Sequence, residues 1–157
     1  MSTVTIKGIK QSQQAGPDGN KHVIRGNFTT NASGVAANSD LTTAVQVNDV
    51  VRLAFLPAGA ELHDALAIVS DAFAATTTAD IGFVYADGVD SSAVPQNAAY
   101  FFAALATSSA SRTRATATNA PVRLPKDAYL VLTRKVAADS AVGVLDVLVE
   151  CVLQGAA

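Results

Sequence analysis

Any reaction run by this chain would have to draw on few side chains: two histidines, His22 and His63, one cysteine, Cys151, and scattered carboxylates. In His63-Asp64 a base stands beside a carboxylate. Sequence neighbours point to opposite faces of a strand and lie about 100° apart on a helix, so this pair does not suit a general base and the group that orients it. No G-x-S-x-G elbow, H-E-x-x-H pair or C-x-x-C is present. The segment GPDGNK at 16–21 has the glycines of a phosphate loop without the G-K-[ST] ending, and it reads as a turn. Asp87-Gly88-Val89-Asp90 offers two carboxylates, but a calcium loop needs a third acid and a closing Glu, so an Asp-Gly turn is the preferred reading. Tyr85, Tyr100 and Tyr129 could line a sugar-binding face; isolated tyrosines in strands otherwise pack their rings and let the hydroxyl reach water. No catalytic, cofactor-binding or metal-ligating residue is assigned.

Composition points away from chemistry and toward contact. The 157 residues suit one domain, with 50% hydrophobic residues but only 15% charged, against ~25% in ordinary soluble domains. The apolar excess is Ala and Val, with no Trp, and Ala, Thr, Ser and Asn stand where a free monomer carries Lys and Glu. Such a surface suits a protein packed against partners; an Ala-rich genome would produce the same bias. A net charge of -2 provides no basic field for a phosphate backbone, and Arg112 with Arg114 is too small a cluster to make one. Nucleic acid is therefore not an expected partner. Neither is a membrane, since no run reaches ~18 apolar residues. The first residues, MSTV, lack the basic and apolar regions of a signal peptide, so the sequons at Asn27 and Asn31 are read as chance matches. Cys151 lies in an alternating apolar run and is expected to be a buried small hydrophobe.

The elements that would carry these residues are mainly strands. Residues 51–88 hold the apolar runs Leu53–Leu56 and Leu62–Val69 around a Pro-Ala-Gly break, then Ile81, Phe83 and Tyr85 alternating with Gly82, Val84 and Ala86. Thr3–Ile9 reads as a short strand, and Lys21–Thr30 as a strand returning after the turn at 16–20 to make a loose hairpin. With the polar loop 31–40, this predicts an arm or hairpin over residues 1–40, less anchored than a sandwich domain at 41–157. Leu41–Leu56 predicts one or two strands, with a turn or bulge at Asn48-Asp49. The segment 62–73 is ambiguous: Leu62, Leu66, Val69 and Phe73 make a helical stripe, whereas a strand puts Leu62, Leu66 and Ile68 on one face with Asp64 as the misfit. Further strands are expected at Ala98–Thr107, apolar on both faces, at an edge within 107–119, at Tyr129–Val136, and from Gly143 with Leu145, Val147, Val149, Cys151 and Leu153 on one face. About eight short strands with turn chemistry between them predict an all-β antiparallel sandwich or jelly roll.

The run Leu56-Pro57-Ala58-Gly59-Ala60-Glu61-Leu62, the Thr-rich spacer before Asp80-Ile81-Gly82-Phe83, and the closing GVLDVLVECVL resemble a pattern of tailed-phage virion proteins. Across about residues 48–153, the chain is similar to the small capsid decoration, or cement, proteins that bind outside an assembled icosahedral head. The resemblance implies a jelly-roll sandwich with a strand at 62–69, self-associated as homotrimers or dimers. It implies the major capsid protein as partner, bridging of neighbouring capsid subunits, synthesis in the host cytoplasm and a final location on the outer surface of the virion. It implies no enzyme activity and no cofactor. The N-terminal arm would clasp the capsid or a sister subunit by strand addition. Alternatives from other classes are a tail, baseplate or fibre β-domain, a carbohydrate-binding module, or a small hydrolase using His22 and His63.

Overall fold

The computed structural model describes residues 3–5 and 21–153, and among these it is all strand and loop. The strands are β1 (Thr3–Thr5), β2 (Lys21–Thr30), β3 (Val50–Leu56), β4 (Ala60–Asp71), β5 (Thr78–Tyr85), β6 (Asn97–Ala106), β7 (Ser111–Arg114), β8 (Val122–Arg123), β9 (Ala128–Lys135) and β10 (Gly143–Leu153). One sheet runs β1-β3-β9-β5-β6 and the other β2-β10-β4-β7, with β8 paired to β4. Apart from the parallel β1–β3 pair, the ladders are antiparallel. Without β1 and β8, the sheets are β3-β9-β5-β6 and β2-β10-β4-β7, the strand order of a jelly roll. The β-sandwich expected from strand spacing is therefore the fold.

Alternation builds the core. On β10 the odd positions Leu145, Val147, Val149 and Cys151 are buried, while Asp146 and Glu150 lie on the outer face. Leu130 and Leu132 of β9 and Ile81 and Phe83 of β5 face them from the other sheet's inner side, all without exposure. Each such side chain contributes about 1.5–3 kcal/mol by leaving water, enough in sum to hold two sheets together.

Two sequence readings are corrected. First, β1 and β2 do not form a hairpin. Thr3–Thr5 pairs with β3 in one sheet, and Lys21–Thr30 pairs along its length with β10 in the other. The sandwich therefore begins before residue 41: Phe28 and Thr30 are buried, and Ala36 bridges back to Thr30. The expected turn at 16–20 lies outside the described residues.

Second, the ambiguous segment is strand up to Asp71, but not with the expected face. The ladder to β10 shifts register between Glu150 and Cys151, pairing Glu150 with Asp64 and Cys151 with Leu62, so His63 is an extra residue. Past this bulge the parity inverts. Ala65, Ala67 and Val69 go inward, whereas Leu66 and Ile68 sit half-buried on the outer face. The misfit at Asp64 was the trace of this bulge. The expectation for Leu41–Leu56 holds in its one-strand form: β3 starts at Val50, and Asn48, with φ of 68°, makes the expected turn just before it.

The β5–β6 pair carries the largest irregularity. Ile81 faces Phe102 and Phe83 faces Asn97, so two steps on β5 answer five on β6. The surplus backbone lies directly over Gly82, where a Cβ would stand 2.0 Å from the Asn97 carbonyl oxygen and 2.6 Å from the Tyr100 nitrogen. Only glycine admits that approach. The bulge also explains why Tyr100, Phe101 and Phe102 are all buried on what looked like a two-sided apolar strand. Residues 117–120 pass along this edge, where the Ala117 backbone amide and the Asn119 side-chain amide donate to the Phe101 and Tyr100 carbonyls. At Tyr100 and Phe101 the edge carbonyls are thereby taken.

Candidate interaction surface

The sandwich scatters the residues that could have done chemistry. His63, at the bulge, lies 3.2 Å from Glu61, while Asp64 turns to Arg114. His22 is on β2, half-buried, and its Nε2 meets no hydrogen-bond partner among the described residues. Asp87 and Asp90 form a turn. Asp87 accepts from the Val89 amide and the Lys126 ammonium, Asp90 accepts from the Ser91 and Gln96 amides, and Gly88 takes φ of 72°. The Lys126 ammonium holds the Asp87 carboxyl below its ordinary range, with help from the Val89 amide. Among the described residues, no three His, Cys, Asp or Glu gather as a metal would need.

The tyrosines do not share a face. The Tyr85 hydroxyl donates to the Val94 carbonyl and that of Tyr100 to the Ala120 carbonyl, and burial raises both phenols above their usual range. Tyr129 lies on the outer side of its sheet, edge-on to Phe55 and under the Arg52 guanidinium. Cys151 is fully buried, and desolvation pushes its thiol up to about 11. Asn27 and Asn31, the sequon asparagines, bond to Asp146 and to the Ser33 and Val35 amides respectively.

What remains is surface. The outer face of the β2-β10-β4-β7 sheet carries cross-strand pairs of opposite charge: Lys21–Glu150 at 2.8 Å, Arg25–Asp146 at 2.7 Å, and Arg114 with Asp64. Val23, Leu66, Ile68 and Leu148 lie between them. These exposed pairs contribute little to stability, but they leave the face nearly neutral.

The strongest electrostatic feature lies inside, beneath the end of the sandwich where β9 runs into β10. Arg134, on the inner face of β9, is fully buried, 2.9 Å from the carboxylate of Asp139. It also donates to Thr107 Oγ1, which in turn bonds the Thr77 hydroxyl and carbonyl. The rings of Phe28 and Phe73, stacked 5.3 Å apart, lie against the guanidinium, with centroids 5.5 and 4.8 Å from its carbon. Desolvation raises the Asp139 carboxyl to about 6 despite the guanidinium, and lowers Arg134 for the same reason. Strand alternation places Arg134 on the same face as Leu130 and Leu132, but alternation does not indicate a buried ion pair.

No protein-family model and no curated protein sequence matches the chain. Solved structures do. A chain of the capsid of Ralstonia phage GP4 superposes with a TM-score of 0.67 at 15% identity, over 98% of this chain and 99% of that one. A chain of the cyanophage Pam1 capsid asymmetric unit superposes with a TM-score of 0.58 at 21% identity, over 92% and 95%. This chain shares their fold. The likeness spans both sheets, so it is not limited to one common motif.

Geometry then narrows where contacts can form. The β6 edge is bonded at Tyr100 and Phe101, and the outer face of the β2-β10-β4-β7 sheet carries paired charges. The loop end above Arg134 is different: Val47, Val136 and Val142 stand exposed there.

Proposed function

We propose that this protein is a virion structural component that binds the outside of an assembled phage capsid and stabilises it by bridging neighbouring major capsid subunits. The carrying observation is the full-length likeness to a chain of the GP4 phage capsid, with 98% of this chain and 99% of that one superposed. A surface low in charge supports the reading, because a cement protein works by contact area. About 800 Å² per partner makes a stable contact, and repeated sites on a shell add avidity. Self-association as a homotrimer or dimer, and a clasping role for the N-terminal residues 1–40, belong to the same proposal. The stretch 6–20 would carry most of that clasp and lies outside the described residues. No enzymatic step is assigned, since His22, His63 and the aspartates are dispersed.

The test is to purify the protein, measure its mass in solution, and incubate it with undecorated heads. Co-sedimentation at saturating, symmetric stoichiometry, with a raised thermal rupture point of the heads, is expected. Protein that leaves heads undecorated at micromolar concentration would refute the reading.

A further inference from the structure

Among the described residues, five large apolar side chains stand exposed: Val23, Val47, Val89, Val136 and Val142. Three of them fall at one end of the sandwich. Val47 lies in the loop whose Asn48 amide donates to the Arg134 carbonyl, and Val136 and Val142 lie in the β9–β10 connection. That connection is tied to the Val47 loop by the Asp139 amide on the Val45 carbonyl, and to β2 by the Thr30 hydroxyl on the Ala141 carbonyl.

Val136 is the informative residue. It is 69% exposed and has φ of 66°, while the Ala137 amide donates to the Lys135 carbonyl two residues back. This is the γ-turn of positive φ, a rare and strained form, built here around a β-branched side chain. Asparagine or glycine would relax the backbone at no cost in core packing, because the side chain touches no core. The position is nevertheless held rigidly. Asp139, three residues on, is anchored on buried Arg134, and its backbone lies so close to Gly34 that a Cβ there would stand 2.1 Å from the Asp139 carbonyl oxygen. Folding alone therefore does not account for an exposed valine on a braced, strained turn.

Within 46–49 and 135–142 each charged side chain has a partner. Asp139 pairs with Arg134, Asp49 is buried and accepts from the Gln46 amide, and Lys135 reaches Asn48 and Asp80. The remaining side chains of the tip are the exposed Val47, Val136 and Val142, three alanines, and the uncharged polar Gln46, Asn48 and Ser140. A tip that presents three exposed valines and no unpaired charge complements an uncharged, apolar surface, since a charged partner group would lose its hydration here without gaining a counter-charge.

We propose that the tip formed by 46–48 and 135–142 is the surface by which the protein docks on an apolar, uncharged patch of the capsid shell. This rests on the functional reading above and adds the place of contact and the partner's chemistry. The double variant Val47→Ser/Val136→Asn removes the apolar contact, while asparagine suits the positive φ. It is expected to weaken binding to undecorated heads on the order of tenfold or more. Its thermal midpoint and solution mass should match those of the unaltered protein, and raising NaCl from about 0.1 to about 0.5 M should change head affinity of the unaltered protein less than about twofold. Unaltered protein that ignores heads overturns the functional reading and this proposal with it. Unaltered protein that binds while the double variant binds equally well overturns the tip alone. A variant that falls apart into smaller species assigns the tip to a second copy of this chain instead, and a steep salt dependence assigns binding to charged residues; either refutes the proposal.

Discussion

Replacing Arg134 by methionine should produce a loss of stability that depends on pH in a defined direction. The guanidinium has no solvent exposure and is the only cation within salt-bridge distance of Asp139 among the described residues. Methionine fills much of the same volume between the Phe28 and Phe73 rings, so the main change is a buried carboxylate left without its partner. Removing one member of a buried pair costs about 3–5 kcal/mol. For a chain of this length, at about 2–4 °C per kcal/mol, that is a fall of about 6–20 °C in Tm. The carboxyl can escape part of this by taking a proton. In the unaltered protein Asp139 is already raised to about 6 by desolvation. A folded-state value above the unfolded one adds stability that is complete at acid pH and is lost as pH rises through the folded value. Without Arg134 the value moves higher still, so the variant loses more than the unaltered protein between about pH 5 and pH 8. Urea unfolding of both proteins at these two pH values measures the effect. The difference should be small at the acid value and reach the full range at the alkaline one. Arg134→Met/Asp139→Leu, with no buried charge left, should recover most of the stability at both. A cost independent of pH, or below about 1 kcal/mol at pH 8, would refute the reasoning.

Two further outcomes test the strand irregularities. Gly82→Ala should cost about 1–3 kcal/mol or more, because the new Cβ meets backbone of the β6 bulge and no flexible side chain can yield; a urea midpoint shift under about 0.5 kcal/mol would contradict the close approach. Ala67→Leu should destabilise by about 1–3 kcal/mol through overpacking, whereas Leu66→Ser on the outer face should cost clearly less; the reverse order in thermal unfolding would restore the parity read from sequence.

Most of the sandwich was legible because period-two alternation survives wherever a strand is regular. Gly143–Leu153 was read correctly in type, extent and face for this reason, and Tyr129–Val136 nearly so. Reading failed where one or more extra residues break the period. The bulge at His63 inverted the inner and outer faces of β4, and the surplus at 98–101 made β6 look two-sided. The reading of 1–40 as an arm or hairpin missed β2 for a different reason: β2 carries a polar outer face with Lys21, Arg25 and Asn27, and only pairing with β10 brings it into the sandwich.

The candidate surface was less legible still. Composition alone determined that this chain is poor in charge and in reactive groups, and alternation determined that it is a sandwich; both are local properties, fixed by which residues sit one or two steps apart. Only the tertiary structure decided that Arg134 would be buried against Asp139, and that Val47, Val136 and Val142 would share one exposed end. Those groupings join residues from separate loops and strands, and their energies depend on desolvation and mutual approach, which no spacing along the chain encodes.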